Sequence, residues 1–424
     1  MIKKILLVAT FIMVCSIGSL SGARAEENTK LFLKTLIKEA LSKNPLLLTT
    51  KNQIKARKER IPQAGTLPDP ILKLGLVNLP EAFDFNDDPM TQKQISLSQK
   101  IPFPGKLGLR EKLAQKDFNR FEAEFAYQQL EIINKVKNAY YSLFFIEKSI
   151  EITEKNKTLL KNFLEIAQSL YSVGKGVQQD VLKAEVELSR MREKLVVLKQ
   201  QKITITARLN TLIDRDPYTP LEGRPEVSLT LFTPDPKEVK NSSLDDHPML
   251  KSVQCIREKA ETAYHLARKE YYPNFEVGFS YAQREDSMHR NLSDLYSGFL
   301  GINIPIWYKT RQNRKVEEMR YTFISEKSRY EAIKNDLQFK IVSLLAEIDQ
   351  NGHLIDLYHN EIIPQATHTL DSSLASYQVG EVDFLAPLIN LLTLYTYELE
   401  YYKAFTNYEK NLADLELAVG KKLF

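Results

Sequence analysis

Three prolines, each in similar company, return along this chain at one spacing. Pro45 in NPL is matched by Pro248 in HPM, Pro70 in LPDPILKLGL by Pro273 in EYYPNFEVGF, and Pro102 in SQKIPFPG by Pro305 in GINIPIWY, each pair 203 residues apart. Further on, Tyr171 and Gly174 of LYSVGKGVQQDVL are matched by Tyr377 and Gly380 of SYQVGEVDFLAPL at a spacing of 206. ARLNTLI (207–213) and ADLELAV (413–419) keep that spacing. A period this long lies far beyond solenoid repeats, so it predicts one duplicated half rather than an array. The first structural repeat is residues 26–213 and the second is 248–424. The proline-rich linker between them, 214–247, excludes a long helix and reads as short extended pieces.

Within each repeat two periods alternate. Glycine is scarce, 15 in 424 residues, with none between Gly108 and Gly174 or between Gly301 and Gly352, which predicts long helices. Over 107–172 the residues Phe118, Phe121, Phe125, Ile132, Val136, Ala139, Leu143, Ile146 and Ile150 recur in steps of three, four or seven, as in a coiled coil. At 1.5 Å per residue such a stretch gives about 100 Å of helix. The matching helix of the second repeat is expected to start near Trp307 and to be interrupted at Pro364, with two shorter helices stacked end to end.

Between the prolines the period becomes two. Leu72, Leu74 and Leu76 alternate with Lys73, Gly75 and Val77, and Ile95 and Leu97 with Gln94, Ser96 and Ser98. In the second repeat Phe275, Val277, Phe279 and Tyr281 alternate with Glu276, Gly278, Ser280 and Ala282, while Tyr296, Leu300, Ile302 and Ile304 alternate with Ser297, Gly301 and Asn303. Strands are therefore expected at about 70–79, 94–101, 273–283 and 295–306, with the dyad pattern of a transmembrane β-barrel. A small barrel needs about eight strands or more, so a chain with four must close one by assembling with its copies. Phe103, Tyr271, Tyr272, Trp307 and Tyr308 fall at the helix-to-strand junctions. They suit an interfacial aromatic belt, with simple packing at a domain joint as the alternative.

The N-terminus has Lys3 and Lys4, an apolar run from Ile5 to Cys15, and Ala23-Arg24-Ala25, the layout of a secretory signal peptide over 1–25. The run is shorter than the roughly 18 residues of a spanning helix. Met13-Val14 lack the small residue that lipid-modifying processing at Cys15 prefers. Cleavage removes three positive charges and lowers the formal net charge from +4 to +1, which offers nothing to nucleic acid. Cys255 is then alone, so neither an internal disulfide nor a thiolate zinc site is available. The histidines (247, 265, 289, 353, 359, 368) form no HExxH; His353 and His359 are six apart, off a shared helix face, and Met288-His289 reads as an ordinary outer loop. No GxSxG, P-loop or dinucleotide fingerprint occurs, and neither an enzyme nor a cofactor is expected.

Taken in order, the duplicated half, the strand pairs bounded by PDP and IPFPGK, the Tyr-x-x-Gly turns and NEIIPQA (360–366) resemble the TolC-like outer-membrane efflux proteins over essentially the whole mature chain. NEIIPQA followed by YQVGEVDFL looks most like the outer-membrane factors of Czc- and Cus-type heavy-metal cation efflux. The resemblance implies a mainly α fold in which coiled-coil helices form an α-helical barrel and a transmembrane β-barrel is completed by trimerisation. It implies a homotrimeric, passive exit duct in the outer membrane of a Gram-negative bacterium, with a large periplasmic portion. Its partners would be a periplasmic adaptor, an inner-membrane pump of the resistance-nodulation-division class and outer-membrane lipid.

On that reading LYSVGKGVQQDVL and SYQVGEVDFLAPL become two helical hairpin tips at the periplasmic end, about 171–180 and 377–386. Tyr171, Gly174 and Gly176 would make the first turn and Tyr377 and Gly380 the second, with the glycines taking positive φ. Where the family tends to carry acids that ring the closed aperture, this chain has Ala386 and Ile389; Asp180 holds the position equivalent to Ala386 in the first repeat. Glu381 and Asp383 are left as the entrance carboxylates, unless Asp383 only caps the helix that follows. A duct for polypeptides in type I secretion, and a periplasmic coiled-coil scaffold outside the membrane, remain as alternatives.

Overall fold

The computed structural model describes residues 33–221, 223–232, 244–286 and 291–423. The expected signal peptide and Met288-His289 lie outside these residues. Helix α1 (33–43) leads into α2 (Pro45–Gly65), then strands β1 (Ile71–Val77) and β2 (Gln92–Ile101). Next come α3 (Lys106–Ser172), 67 residues without a break, and α4 (Gln178–Leu212). A 3-10 turn at Leu244–Asp246 opens the second half, followed by α5 (Pro248–Lys269), β3 (Phe275–Gln283), β4 (Leu295–Ile302) and α6 (Gln312–Leu357). Helices α7 (Ile363–Gln378) and α8 (Leu385–Val419) complete the chain. The order helix, two strands, very long helical run, reversal and helix thus occurs twice.

Local chemistry places most boundaries. Pro70 precedes β1, and Asn78, at φ 55°, ends it. Gly105, at φ 87°, turns the chain out of Pro102-Phe103-Pro104 into α3. Pro305 has no N–H to give a ladder, and β4 stops at Ile302, four residues before the expected end. The interruption expected at Pro364 takes a different form. Helical dihedrals continue from α6 through a π turn at Tyr358–Ile362 into α7, and Pro364 sits in the first turn of α7. The proline ring collides with the carbonyl four residues back, and widening the preceding turn relieves that collision while keeping one helical run. That run begins at Gln312 rather than near Trp307, because 307–311 form turns closed by Arg311 N–H to Trp307 O at 3.0 Å.

Contacts divide the chain into two compact units, each drawn from both sequence halves. One comprises 1–49, 125–247 and 335–424, and the other 50–124 and 248–334. The first is helical, and two apolar cores stand out among its described residues. Leu160, Phe163, Met191, Leu388, Leu391 and Tyr395 pack together from α3, α4 and α8. Leu36, Val136, Tyr140, Leu209, Ile213 and Ala413 form the other. Most of the predicted α3 stripe is buried, with Phe121, Ile132, Val136, Ala139, Leu143 and Ile146 all inside. Extended residues of the linker pack here too, where Thr230 gives its N–H and hydroxyl to the buried Glu409 carboxylate at 2.6 and 2.9 Å. The second unit carries the sheet, four antiparallel strands in the order β1-β2-β3-β4.

Candidate functional site

Two places carry the functional argument, the face of the sheet and the pair of helical reversals. In the sheet, Leu74 lies opposite Ile95, Ile95 opposite Tyr281 and Tyr281 opposite Tyr296. Two positions along, Leu72, Leu97 and Phe279 align, and further down Val277 meets Leu300 and Phe275 meets both Ile101 and Ile302. Residues in one rung point the same way, as do residues two apart on a strand, so all of these share one face. That face is uncovered: Leu74 is 72% exposed, Leu300 65% and Leu72 62%. On the other face one rung reads Lys73, Ser96, Ser280, Ser297 and the next Gly75, Gln94, Ala282, Leu295. β1 and β4 are edge strands, each paired on one side only among the described residues. No described helix is long and apolar enough to cross a membrane.

The five junction aromatics separate into two groups. Phe103 and Tyr272 stack at 4.5 Å, with the Lys269 ammonium over both rings at 5.6 and 5.5 Å, so this pair packs. Tyr271 gives its hydroxyl proton to Asn313 Oδ1 at 2.7 Å, whereas Trp307 is 76% exposed and Tyr308 is open as well. A polar knot that periodicity did not reveal joins the strands here. Buried Lys106 donates to Tyr272 O and Asn274 Oδ1, both at 2.8 Å, and the Phe103 N–H donates to that same Oδ1 at 3.1 Å. Asn274 N–H in turn reaches Asn303 Oδ1. The only sequence signal was a lysine or asparagine within two residues of each of three prolines, which by itself names no contact.

At the reversals the two turns are closed alike. Gly174 N–H bonds Tyr171 O at 3.1 Å and Lys175 N–H bonds Leu170 O at 2.9 Å; Gly380 N–H bonds Tyr377 O at 3.0 Å and Glu381 N–H bonds Ser376 O at 2.9 Å. This double closure is a Schellman motif, and Gly174 and Gly380 supply its left-handed residue at φ 74° and 80°. Gly176 differs from expectation. It has no positive φ and is small for another reason: a Cβ there would lie 3.0 Å from Tyr171 N and 3.2 Å from the Leu170 carbonyl carbon.

Helix α4 begins with Asp180 in its first turn, beside the positive end of the helix dipole. Burial, then the nearby Asp383 charge, pushes the Asp180 carboxyl up, with Lys183 opposing. The same Asp180 charge, second to burial, raises Tyr377. The two tips therefore adjoin. Asp383 accepts the Ala386 N–H at 3.3 Å, which is a capping bond at the start of α8. Glu381 and Ile389 are exposed and Ala386 is half-buried. Tyr377 and Phe384 meet edge to face at 5.4 Å, and Phe384 is completely buried. The Tyr377 hydroxyl has no hydrogen-bond partner among the described residues, while its counterpart Tyr171 is 49% exposed. Sequence alone did not separate these twins, since each stands in a Tyr-x-x-Gly turn.

The model of the family described as outer membrane efflux protein matches residues 36–214, from α1 to the end of α4. Over these residues the chain is similar to that family. Solved structures extend the efflux-protein likeness at the level of the fold. The outer-membrane channel OprN superposes with TM-score 0.79 at 14% identity, covering 92% of this chain and 90% of its own. VceC of Vibrio cholerae gives 0.78 at 17%, covering 92% and 96%. CusC, whose structures concern folding and transmembrane channel formation, gives 0.79 at 16%, covering 92% of each. No curated protein matches the chain.

Proposed function

We propose that this efflux-family chain is an outer-membrane exit duct in which three copies pool their four strands into a twelve-stranded barrel. The observation that carries the reading is the register of the sheet. It brings apolar residues of all four strands onto one open face, sets a mixed row that includes Lys73, Ser96, Ser280 and Ser297 on the other, and leaves both edges free to pair. Water opposes so large an exposed apolar face, whereas lipid suits it, and an even number of antiparallel strands lets β4 of one copy meet β1 of the next. Trp307 and Tyr308 then form the aromatic belt at one rim. The coiled helices supply the periplasmic tunnel, and the internal duplication makes each copy contribute two hairpins to it.

The duct is passive in this reading, fed by a periplasmic adaptor and an inner-membrane pump of the resistance-nodulation-division class that meet it at the tips. Glu381 and Asp383 place six carboxylates around the periplasmic mouth of the trimer. Metal cations are the proposed cargo, supported by the resemblance of NEIIPQA and YQVGEVDFL to metal-efflux factors. The decisive test is a purified outer-membrane fraction. A trimer that collapses to monomer only on heating, and that conducts ions in a planar bilayer, is expected; a protein recovered with the soluble periplasm overturns the reading. Growth of a deletion strain on graded divalent metals tests the cargo, and unchanged metal tolerance removes that part alone.

A further inference from the structure

The helical unit contains a cavity of about 430 Å³ that the duct does not use. Its wall is built from three helix faces with spacings of three and four: Ile37 and Leu41 on α1, Leu130 and Ile133 on α3, and Leu417 on α8. The volume falls in the roughly 300–1,000 Å³ range of pockets that hold small ligands, and an apolar wall with a few convergent polar groups is their usual make-up. The charges at this cavity are unbalanced. Its one carboxylate, Glu416, is engaged by Lys137 and by the Leu423 N–H at 3.0 Å. Lys34, Lys38 and Lys422 also line it, are exposed, and make no ion pair among the described residues.

We infer that this cavity binds a single-chain anionic amphiphile, a long-chain carboxylate, with its tail between the three helices and its head at Lys34, Lys38 and Lys422. An apolar slot selects a hydrocarbon chain, and three uncompensated ammonium groups at its rim select a negative head. A flat apolar surface would suit another protein, but this one is a concave cleft lined by three helices of one chain. The inference goes beyond the duct reading and does not depend on barrel closure.

The test uses the full mature protein in a neutral maltoside detergent and a 16-carbon carboxylate bearing a terminal diazirine. After illumination, crosslinks mapped by peptide mass spectrometry should concentrate in 33–43, 128–138 and 413–422. The triple variant K34E/K38E/K422E should reduce labelling about tenfold, and Leu41→Trp, which fills the slot, should reduce it at least as much. Unlabelled competitors should weaken about fourfold for each methylene removed. Equal labelling by the 16-carbon alcohol would show that no head is recognised, and labelling spread over the strand residues would show only partition onto an apolar surface. Either overturns the proposal. So does a bismaleimide crosslink between two copies through Leu417→Cys in a Cys255→Ser background, since the cavity would then belong to a subunit contact.

Discussion

Gly380 and Gly174 show how much a single residue can settle. Each sits at positive φ in a Schellman turn, and no atom of the described residues lies within 4 Å of where a Cβ would be, so conformation and not space demands glycine. Gly380→Ala should destabilise its tip by about 1 kcal/mol, read as faster amide exchange over 374–386. Asp383 is distinguished by the kind of change made to it: Asp383→Ala loses the bond to Ala386 N–H and costs about 1 kcal/mol at the start of α8, whereas Asp383→Asn keeps it. Asp180 adds a pH dependence. Its carboxyl is pushed up by burial and by Asp383, so the folded tip holds its proton to higher pH than the unfolded chain does. The native state then binds more protons between the two values, and tip stability falls as pH rises through that window. Asp180→Asn should remove this slope, measured as exchange protection of 173–185 corrected for intrinsic rates; an unchanged slope would refute the role of Asp180.

Among the elements, the sheet invites the sharpest test. Leu74 and Val277 lie on the apolar face, Leu74 beside Ile95 and Val277 beside Leu300. In the proposed duct, arginine at either position faces lipid and costs about 2–4 kcal/mol near the bilayer centre. Leu74→Arg and Val277→Arg should therefore lower the yield of heat-modifiable trimer. Lys73→Arg, one position along on the opposite face, should leave the yield unchanged. Normal trimer from Leu74→Arg would refute the assignment of that face to lipid. The long helical run of the second half makes the complementary point. Pro364 was expected to divide it, yet the backbone widened by one π turn and continued, because helical dihedrals on both sides cost less to keep than to abandon.

At the scale of the molecule, the proposed trimer repeats each of these features three times. Changing Glu381→Gln and Asp383→Asn together removes six charges from the proposed mouth while keeping the cap. Cation preference in planar bilayers should fall, with the reversal potential in a salt gradient moving toward zero; unchanged selectivity would end their role at the mouth. The sequence by itself determined the local grammar of this protein. Alternation marked the strands, three-and-four spacing marked α3, and Gly174 and Gly380 marked the reversals, since each signal acts through neighbours a few residues away. It also carried the family likeness, spread over an ordered set of weak motifs. Only tertiary structure decided the register that sets Leu74, Ile95, Tyr281 and Tyr296 in one row, because that row joins residues some two hundred positions apart. Lys106 and Asn274 of the polar knot are likewise 168 positions apart, and the walls of the lysine-rimmed cavity come from 34–42, 130–137 and 413–422. Twin tyrosines came to differ, Tyr377 buried against Phe384 and Tyr171 exposed, because identical local patterns meet different neighbours once the chain is packed.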